Sequence, residues 1–192
     1  LAGRTLLVAG QGSIGRAVAR LARAVGMRVL ALASRPRAGD GVVEEVGGPG
    51  NLPRLLGQAD FVVNVLPLTE RTRGLFGREA FAAMRPGARF VNLGRGGTVD
   101  EDALVEALRE GRIAGAALDV FAEEPFPPHS PLWSAPNAIV SPPHLRRRPG
   151  MAGGRGGAVP REPPPVRGGG APHGGRGQAA RLRPLGVRGA LC

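Results

Sequence analysis

The residues of this chain that could do chemistry fall into four short stretches. Gly10-Gln11-Gly12-Ser13-Ile14-Gly15 is a G-x-G-x-x-G run, and Asn92-Leu93-Gly94-Arg95-Gly96-Gly97 carries a single cation in a glycine-rich setting. Asp119 is followed by Glu123 and Glu124, and Ser141-Pro142-Pro143-His144 brings an imidazole. An arginine, a carboxylate and a histidine together form an acid-base set. The guanidinium can orient an anion, and an imidazole held by a carboxylate keeps a proton to exchange near neutral pH. In the glycine run each glycine has a physical use. The first permits a tight turn, the second lets the backbone approach a pyrophosphate, and the third lets helix and strand pack closely. A helix opening there offers free N–H groups and its positive end to phosphates. The alternative is a glycine-rich turn with no ligand.

These stretches are useful only if the fold brings them together, and the pattern between them predicts how. Residues 4–144 alternate short apolar runs with helical periodicity, the rhythm of parallel strands joined by helices. Thr5-Leu6-Leu7-Val8-Ala9 reads as a buried strand. Ser13 sits at an N-cap position ahead of Ile14, Val18, Leu21, Ala22 and Val25 at helical spacing. Further strands are expected over 29–33, 61–66, 90–93, 114–120 and 138–140, with helices over 52–56, 78–84 and 100–109. The last helix has an acidic start and a basic end, as the helix dipole favours, and Gly111 stops it. Six strands in this rhythm give an α/β fold, a doubly wound, Rossmann-like parallel sheet with its ligand crevice at the strands' carboxyl ends. The four stretches all fall at such ends.

A carboxylate is expected about twenty residues past the glycine turn, at the end of the second strand, to accept from a ribose 2′-hydroxyl. The strand instead runs into Ser34-Arg35-Pro36-Arg37, and the next carboxylate is Asp40. Ser34 and two guanidiniums favour a 2′-phosphate, so NADP is expected over NAD. The alternative is that these arginines only solvate a loop.

Composition narrows the function classes. The chain has 192 residues and a formal charge of +11, which over a folded surface would point to a polyanion partner. The charge is not spread that way. Residues 1–144 carry 16 Arg against 14 acids, whereas 145–192 carry 10 Arg against the single acid Glu162. The neutral body argues against a nucleic-acid partner. The arginine-rich segment keeps that reading open, without Lys, aromatic residues or a motif to support it. Residues 145–192 hold 13 Gly and 7 Pro, a composition that cannot build a core, so a disordered tail is expected after a single domain over 1–144. The one cysteine, Cys192, excludes an intramolecular disulfide framework and a thiolate metal cluster, and no metal site is expected. No apolar run reaches the length of a membrane span, and no secretory signal pattern opens the chain, so a cytoplasmic protein is expected, with no membrane partner.

Four ordered stretches, GQGSIG at 10–15, LPLTERTRGL at 66–75, NLGRGGTVDEDAL at 92–104 and GRIAGAALDVFAEEP at 111–125, resemble the nucleotide-binding domain of the D-isomer-specific 2-hydroxyacid dehydrogenases. The resemblance covers Leu1 to about Pro142, three quarters of the chain. It implies hydride transfer between NAD(P)H and a 2-oxoacid or D-2-hydroxyacid. Arg95 would grip the substrate carboxylate and carbonyl, and Glu124, or alternatively Glu123, would pair with the histidine that exchanges the hydroxyl proton, here His144. Asp119 would face the nicotinamide. Pro67, Thr72 and the backbone near Leu93 and the Ser13-Ile14 turn would line the cofactor site. The Ser34-Arg35 ending resembles the family's glyoxylate and hydroxypyruvate reductases, which tend to use NADPH. A homodimer is implied too. A binding protein that senses NAD(P) without catalysis is the alternative from another class.

Two departures from the family pattern are visible. The chain begins about four residues before its first strand, so the family's separate substrate domain is expected to be missing and the isolated chain weakly active or inactive. The family's Ser-Pro-His is here Ser141-Pro142-Pro143-His144, after which the pattern stops. Codons AGC CCC CAC ACC TCC GGC would read Ser-Pro-His-Thr-Ser-Gly. One additional C gives Ser-Pro-Pro-His-Leu-Arg, the sequence found at 141–146. The tail then reads as an out-of-frame translation, and 155–167 shifted back by one base permits an amphipathic helix.

Overall fold

The computed structural model describes residues 1–141. Pro142, Pro143, His144 and the expected tail over 145–192 lie outside the described residues. The strands are β1 (Thr5–Ala9), β2 (Arg28–Leu32), β3 (Arg37–Ala38), β4 (Glu45–Gly47), β5 (Phe61–Asn64), β6 (Arg89–Asn92), β7 (Gly115–Leu118) and β8 (Ala138–Val140). The helices are α1 (Ser13–Ala24), α2 (Leu52–Leu56), α3 (Arg78–Ala83) and α4 (Glu101–Arg109). The sheet order is β3-β4-β2-β1-β5-β6-β7-β8, and every neighbouring pair is parallel except β3–β4. Strand order runs outward from β1 in one direction through β2 and β4, and in the other from β5 to β8. The switch point, where such sheets bind ligands, therefore lies between β1 and β5.

The six expected strands are all present, though β5 and β7 are shorter than their apolar runs. Two more, β3 and β4, were not expected. Glu45-Val46-Gly47 is too short to show a period, and Arg37–Ala38 is an exposed antiparallel edge whose sequence resembles a loop. The N-cap of α1 is Gly12 rather than Ser13, and no side chain caps it. The apolar stripe expected to face the sheet also differs. Gly15, Ala19 and Ala22 are the buried residues of α1, while Ile14, Leu21 and Val25 are 58%, 70% and 51% exposed. Close packing at Gly15 fixes the reason, since only small residues on that side let α1 lie against β1. The helix at 101–109 behaves as expected. Asp100 caps it by accepting from the Ala103 N–H at 3.1 Å, and Gly111 ends it at φ +67°.

The main core lies on one face of the sheet, where α2, α3 and α4 pack Leu55, Leu56, Phe81, Leu104 and Leu108 against Leu7, Val62 and Phe90. Phe90 meets the ring of Phe81 edge-on at 5.4 Å and that of Phe76 at 5.0 Å. The second face is covered by α1 over β1, β2 and β4. No helix among the described residues is long and apolar enough to cross a membrane.

Asp60 locks the amino-terminal edge of the sheet. Its carboxylate accepts from the Thr5 N–H at 2.8 Å and lies 3.2 Å from both Arg4 and Arg85. The Thr5 hydrogen bond, helped by the two guanidiniums, holds its carboxyl below the ordinary value. A depressed folded-state pKa stabilises the fold above the unfolded value of about 4 and loses that contribution as pH falls through the folded value. Asp60→Asn is therefore expected to lower stability by about 1 kcal/mol at neutral pH. In urea titrations at several pH values the gap to wild type should close below about pH 4; a gap unchanged by acid would contradict this.

Candidate cofactor and active site

The carboxyl edge of the sheet is extended one residue past each strand by backbone hydrogen bonds. Gly10 N donates to Leu32 O, Val65 N to Ala9 O, Leu93 N to Asn64 O, Asp119 N to Asn92 O, and Ser141 N to Leu118 O, at 2.9 to 3.1 Å. This ladder puts the glycine turn, the Leu66–Thr72 loop, the Arg95 loop, Asp119 and the start of the Ser-Pro-Pro-His run along one edge.

The glycine turn is built as its sequence requires. Gly10 has φ +113°, and a Cβ there would lie 3.1 Å from the Val65 carbonyl, so both backbone shape and the approach of β5 call for glycine. A Cβ on Gly15 would lie 1.9 Å from the Gly10 oxygen. Gly12 is the contrast, because a Cβ there would meet nothing within 4 Å. Its freedom from protein neighbours leaves open space before the first-turn N–H groups of Ser13, Ile14 and Gly15, which no side chain caps. Beside it the Gln11 amide nitrogen is buried with no partner among the described residues. A cradle with open space, uncapped N–H groups and an unused donor fits the phosphates of a dinucleotide.

Ser34 and Arg35 follow the end of β2, two and three residues past Leu32, and both are exposed. The second arginine of that run reaches the turn itself, with Arg37 donating to the Gln11 amide oxygen at 3.4 Å. Asp40 is not placed to take a ribose hydroxyl, because it is spent capping a turn, accepting from Val42 and Val43 N–H at 3.2 and 3.0 Å. Pro67 and Thr72 belong to one loop at the end of β5. The Thr72 hydroxyl donates to Pro67 O at 2.6 Å and accepts from Thr69 N at 2.8 Å, which fixes the loop's shape.

Arg95 is exposed at the end of β6, with Nη1 donating to the Gly94 carbonyl at 2.8 Å. The flanking glycines are forced by packing, since a Cβ on Gly94 would lie 2.7 Å from Leu66 O and one on Gly96 1.8 Å from the Phe121 carbonyl. The Arg95 loop is thus clamped between the loops that carry Pro67 and Glu124. Asp119 is exposed at the end of β7. Glu124 is exposed as well and turns back to the Phe121 N–H at 3.5 Å, whereas Glu123 makes no hydrogen bond among the described residues. The loop carrying both acids is held by stacking of Phe121 on Phe126 at 3.9 Å and of Phe126 against Trp133 at 5.0 Å. His129 in the same region is exposed, as its proline-rich setting predicts. His144 lies outside the described residues.

Four residues that support this site were not singled out by sequence. Asn64 and Asn92 sit opposite each other at the ends of β5 and β6, and with Thr98 they are fully buried. Asn64 Nδ2 donates to Asn92 Oδ1 at 2.9 Å and to Thr98 Oγ1 at 2.7 Å, while Asn64 Oδ1 accepts from Leu66 N at 3.1 Å. Asn92 Oδ1 also accepts from Gly94 N at 3.2 Å, and Thr98 Oγ1 donates to Arg95 O at 2.6 Å. The network ties the Pro67 loop to the Arg95 loop. The fourth is Glu101, whose carboxylate accepts from Ala122 N at 2.6 Å and so anchors the loop after Asp119 to α4; burial pushes its carboxyl above the ordinary value. A polar residue closing each of two apolar strands was the available signal for the asparagines. Asn64→Ala removes three hydrogen bonds, leaves the Leu66 N–H without its acceptor and is expected to cost about 2–4 kcal/mol, read as a fall in urea midpoint. A loss below about 0.5 kcal/mol, within the range of an ordinary surface change, would remove the network from the account.

Comparison with known proteins agrees with this edge. Residues 1–145 match the family model described as D-isomer specific 2-hydroxyacid dehydrogenase, NAD binding domain. The chain is 48% identical over 141 residues to a glyoxylate reductase of Thermococcus onnurineus, covering 73% of this chain and 41% of that protein. It is 46% identical over 143 residues to a glyoxylate/hydroxypyruvate reductase B of Pectobacterium carotovorum, covering 74% and 44%. Among solved structures, a D-isomer specific 2-hydroxyacid dehydrogenase of Xanthobacter autotrophicus Py2 in complex with NADPH and MES superposes with a TM-score of 0.69 at 41% identity, over 73% of this chain and 44% of that one. The chain thus spans less than half the length of the curated relatives it resembles. With its glycine cradle, its ladder of strand ends and this match over residues 1–145, the chain belongs to the D-isomer specific 2-hydroxyacid dehydrogenase family and carries that family's NAD binding domain.

Proposed function

We propose that residues 1–144 serve as the cofactor half of an oxidoreductase that interconverts 2-oxoacids and D-2-hydroxyacids, using NADP in preference to NAD. The observation that supports this reading is the ladder of backbone hydrogen bonds at the carboxyl edge, along which the glycine turn, the start of the Arg95 loop and Asp119 follow one another. The bound nicotinamide supplies or accepts the hydride. The chain's own residues do the rest. Gly10, Gly12, Ser13, Ile14 and Gly15 hold the pyrophosphate through backbone and helix end. Ser34 and Arg35, with Arg37 beside Gln11, take a 2′-phosphate, for which charge-assisted contacts are strong. Pro67, Thr72 and the Leu93 backbone line the cofactor's path, and Asp119 faces its nicotinamide end.

Arg95 orients the substrate's carboxylate and polarises its carbonyl. Glu124 and His144 serve as the acid-base pair through which a proton reaches the carbonyl oxygen as the hydride reaches carbon. The names of the relatives favour glyoxylate or hydroxypyruvate as the small 2-oxoacid. The exposed Ile14, Leu21 and Val25 face of α1 supports a homodimer. The single Cys192 accords with a cytoplasmic setting.

NADPH oxidation by the chain in the presence of glyoxylate or hydroxypyruvate tests the reading. Turnover is expected to be slow and to fall about 100-fold or more in Arg95→Gln, as loss of an oriented charge does. Equal rates in wild type and variant would contradict the role given to Arg95.

A further inference from the structure

Two parts of the cofactor crevice emerge side by side. β1 and β2 are neighbours in register, with Ala9 opposite Leu32, so the glycine turn that leaves β1 lies next to the Ser34–Arg37 run that leaves β2. That run is held along its length. Ala33 N donates to Gly47 O at 2.9 Å, a Cβ on Gly48 would come within 3.2 Å of the Pro36 ring, and Arg37 enters β3 opposite Val46. The backbone under Arg37 is therefore fixed, although β3 is an exposed edge.

The Arg37 side chain does not spread into solvent from this edge. Its guanidinium crosses to the glycine turn and donates to Gln11 Oε1 at 3.4 Å. Arginine has donors only, so the glutamine must turn its amide oxygen to Arg37 and its nitrogen away. That nitrogen is shielded from solvent and has no partner among the described residues. A shielded, unpaired N–H is unfavourable, and a glutamine free to rotate would solvate both ends of its amide. Among the described residues the contact with Arg37 is the one hydrogen bond of the Gln11 side chain, so that contact sets its pose. Arg37 makes no salt bridge among the described residues, and the nearby carboxylate of Asp40 is engaged by the Val42 and Val43 N–H groups. The cation stands at the turn with its charge uncompensated by an acid there. The G-x-G-x-x-G pattern leaves position 11 open, so the cradle by itself does not call for glutamine.

Resting on the NADP reading above, we propose that Gln11 is a positioning residue for cofactor choice. Its amide oxygen holds the Arg37 guanidinium against the glycine turn, where that cation takes the 2′-phosphate. An arginine already held there loses less side-chain freedom when the phosphate arrives than one that must first be gathered from solvent. NAD has no group at this position for Arg37 to meet. Gln11 thus acts on the choice between the two cofactors and leaves the pyrophosphate contacts to the backbone of the turn.

Fluorescence titrations of the full chain with NADPH and with NADH, in wild type, Gln11→Met, Arg37→Gln and the double variant, test this. Methionine keeps the length of the side chain and removes the acceptor. Gln11→Met is expected to weaken NADPH binding about tenfold, the scale of one charge-assisted contact, and NADH binding less than about twofold. Because Gln11 acts through Arg37, the double variant should bind NADPH no more than about twofold more weakly than Arg37→Gln alone. Retained NADH affinity also shows that the variants are folded with the cradle intact. Equal losses for both cofactors would make Gln11 a structural part of the turn and overturn the proposal. So would additive losses in the double variant, or an NADPH preference that survives Gln11→Met unchanged. Wild type that does not prefer NADPH would instead overturn the NADP reading, and this role of Gln11 with it.

Discussion

Replacing Gly12 with Asp should leave the fold intact and abolish cofactor binding. A Cβ at Gly12 meets no atom within 4 Å, and the residue sits at φ −74°, a backbone conformation that any residue adopts. The melting temperature is therefore expected to move by no more than a surface substitution does, about 0.5 kcal/mol in stability. Binding should respond very differently. In the proposed site the pyrophosphate approaches the uncapped N–H groups of α1 through the open space at Gly12, and a carboxylate there would take both the volume and the favourable potential. A loss of at least 100-fold in affinity, about 2.7 kcal/mol, is expected in a fluorescence titration with NADPH. Retained affinity would mean that the phosphates do not lie over Gly12.

Gly15→Ala should do the reverse, breaking the fold first. Its Cβ would sit 1.9 Å from the Gly10 oxygen and 3.3 Å from Val65, and the closest obstacle is backbone that β1 and β5 hold in place. No rotamer relieves the clash. Either α1 lifts off the sheet, exposing Ala19 and Ala22, or the glycine turn opens and loses the Gly10–Leu32 hydrogen bond. Overpacking of this severity exceeds the ordinary 1–3 kcal/mol, and a loss of about 4 kcal/mol is expected in urea unfolding. A well-folded Gly15→Ala with normal affinity would show that close packing of α1 on β1 is not what the third glycine serves. The two variants together separate the roles of neighbouring glycines that a motif alone treats alike.

The motif was legible because its causes are local. A buried strand with four apolar residues after Thr5, a turn that needs positive φ and a helix starting at once can be read within fifteen residues. The Arg95 loop is legible by likeness of its whole stretch, and the ladder at the strand ends puts it on the same edge as the glycine turn, with the end of β5 between them. What sequence did not show is what depends on partners far along the chain. The outward facing of Leu21 and Val25 follows from the packing at Gly15, which helical periodicity does not encode. β4 is three residues long and exists because β2 offers it a parallel edge. Asn64, Asn92 and Thr98 are unremarkable singly and become a network only when β5 and β6 pair in register. Glu101 reads as an ordinary acid in the first turn of a helix, yet its partner is Ala122, twenty-one residues on.

In the proposed function the cradle at Gly10–Gly15 holds a nicotinamide dinucleotide, and Ser34 and Arg35 distinguish its 2′-phosphate. Both roles are tested by the melting temperature of the full chain titrated with NADPH and, separately, with NADH. Ligand at 100 times its dissociation constant stabilises the fold by about 2.7 kcal/mol, which corresponds to roughly 5–10 °C for a domain of this size. NADPH is expected to produce a shift of that order, and NADH at equal concentration a clearly smaller one. Equal shifts would contradict the role of Ser34 and Arg35. No shift with either would contradict the claim that the cradle binds a cofactor at all.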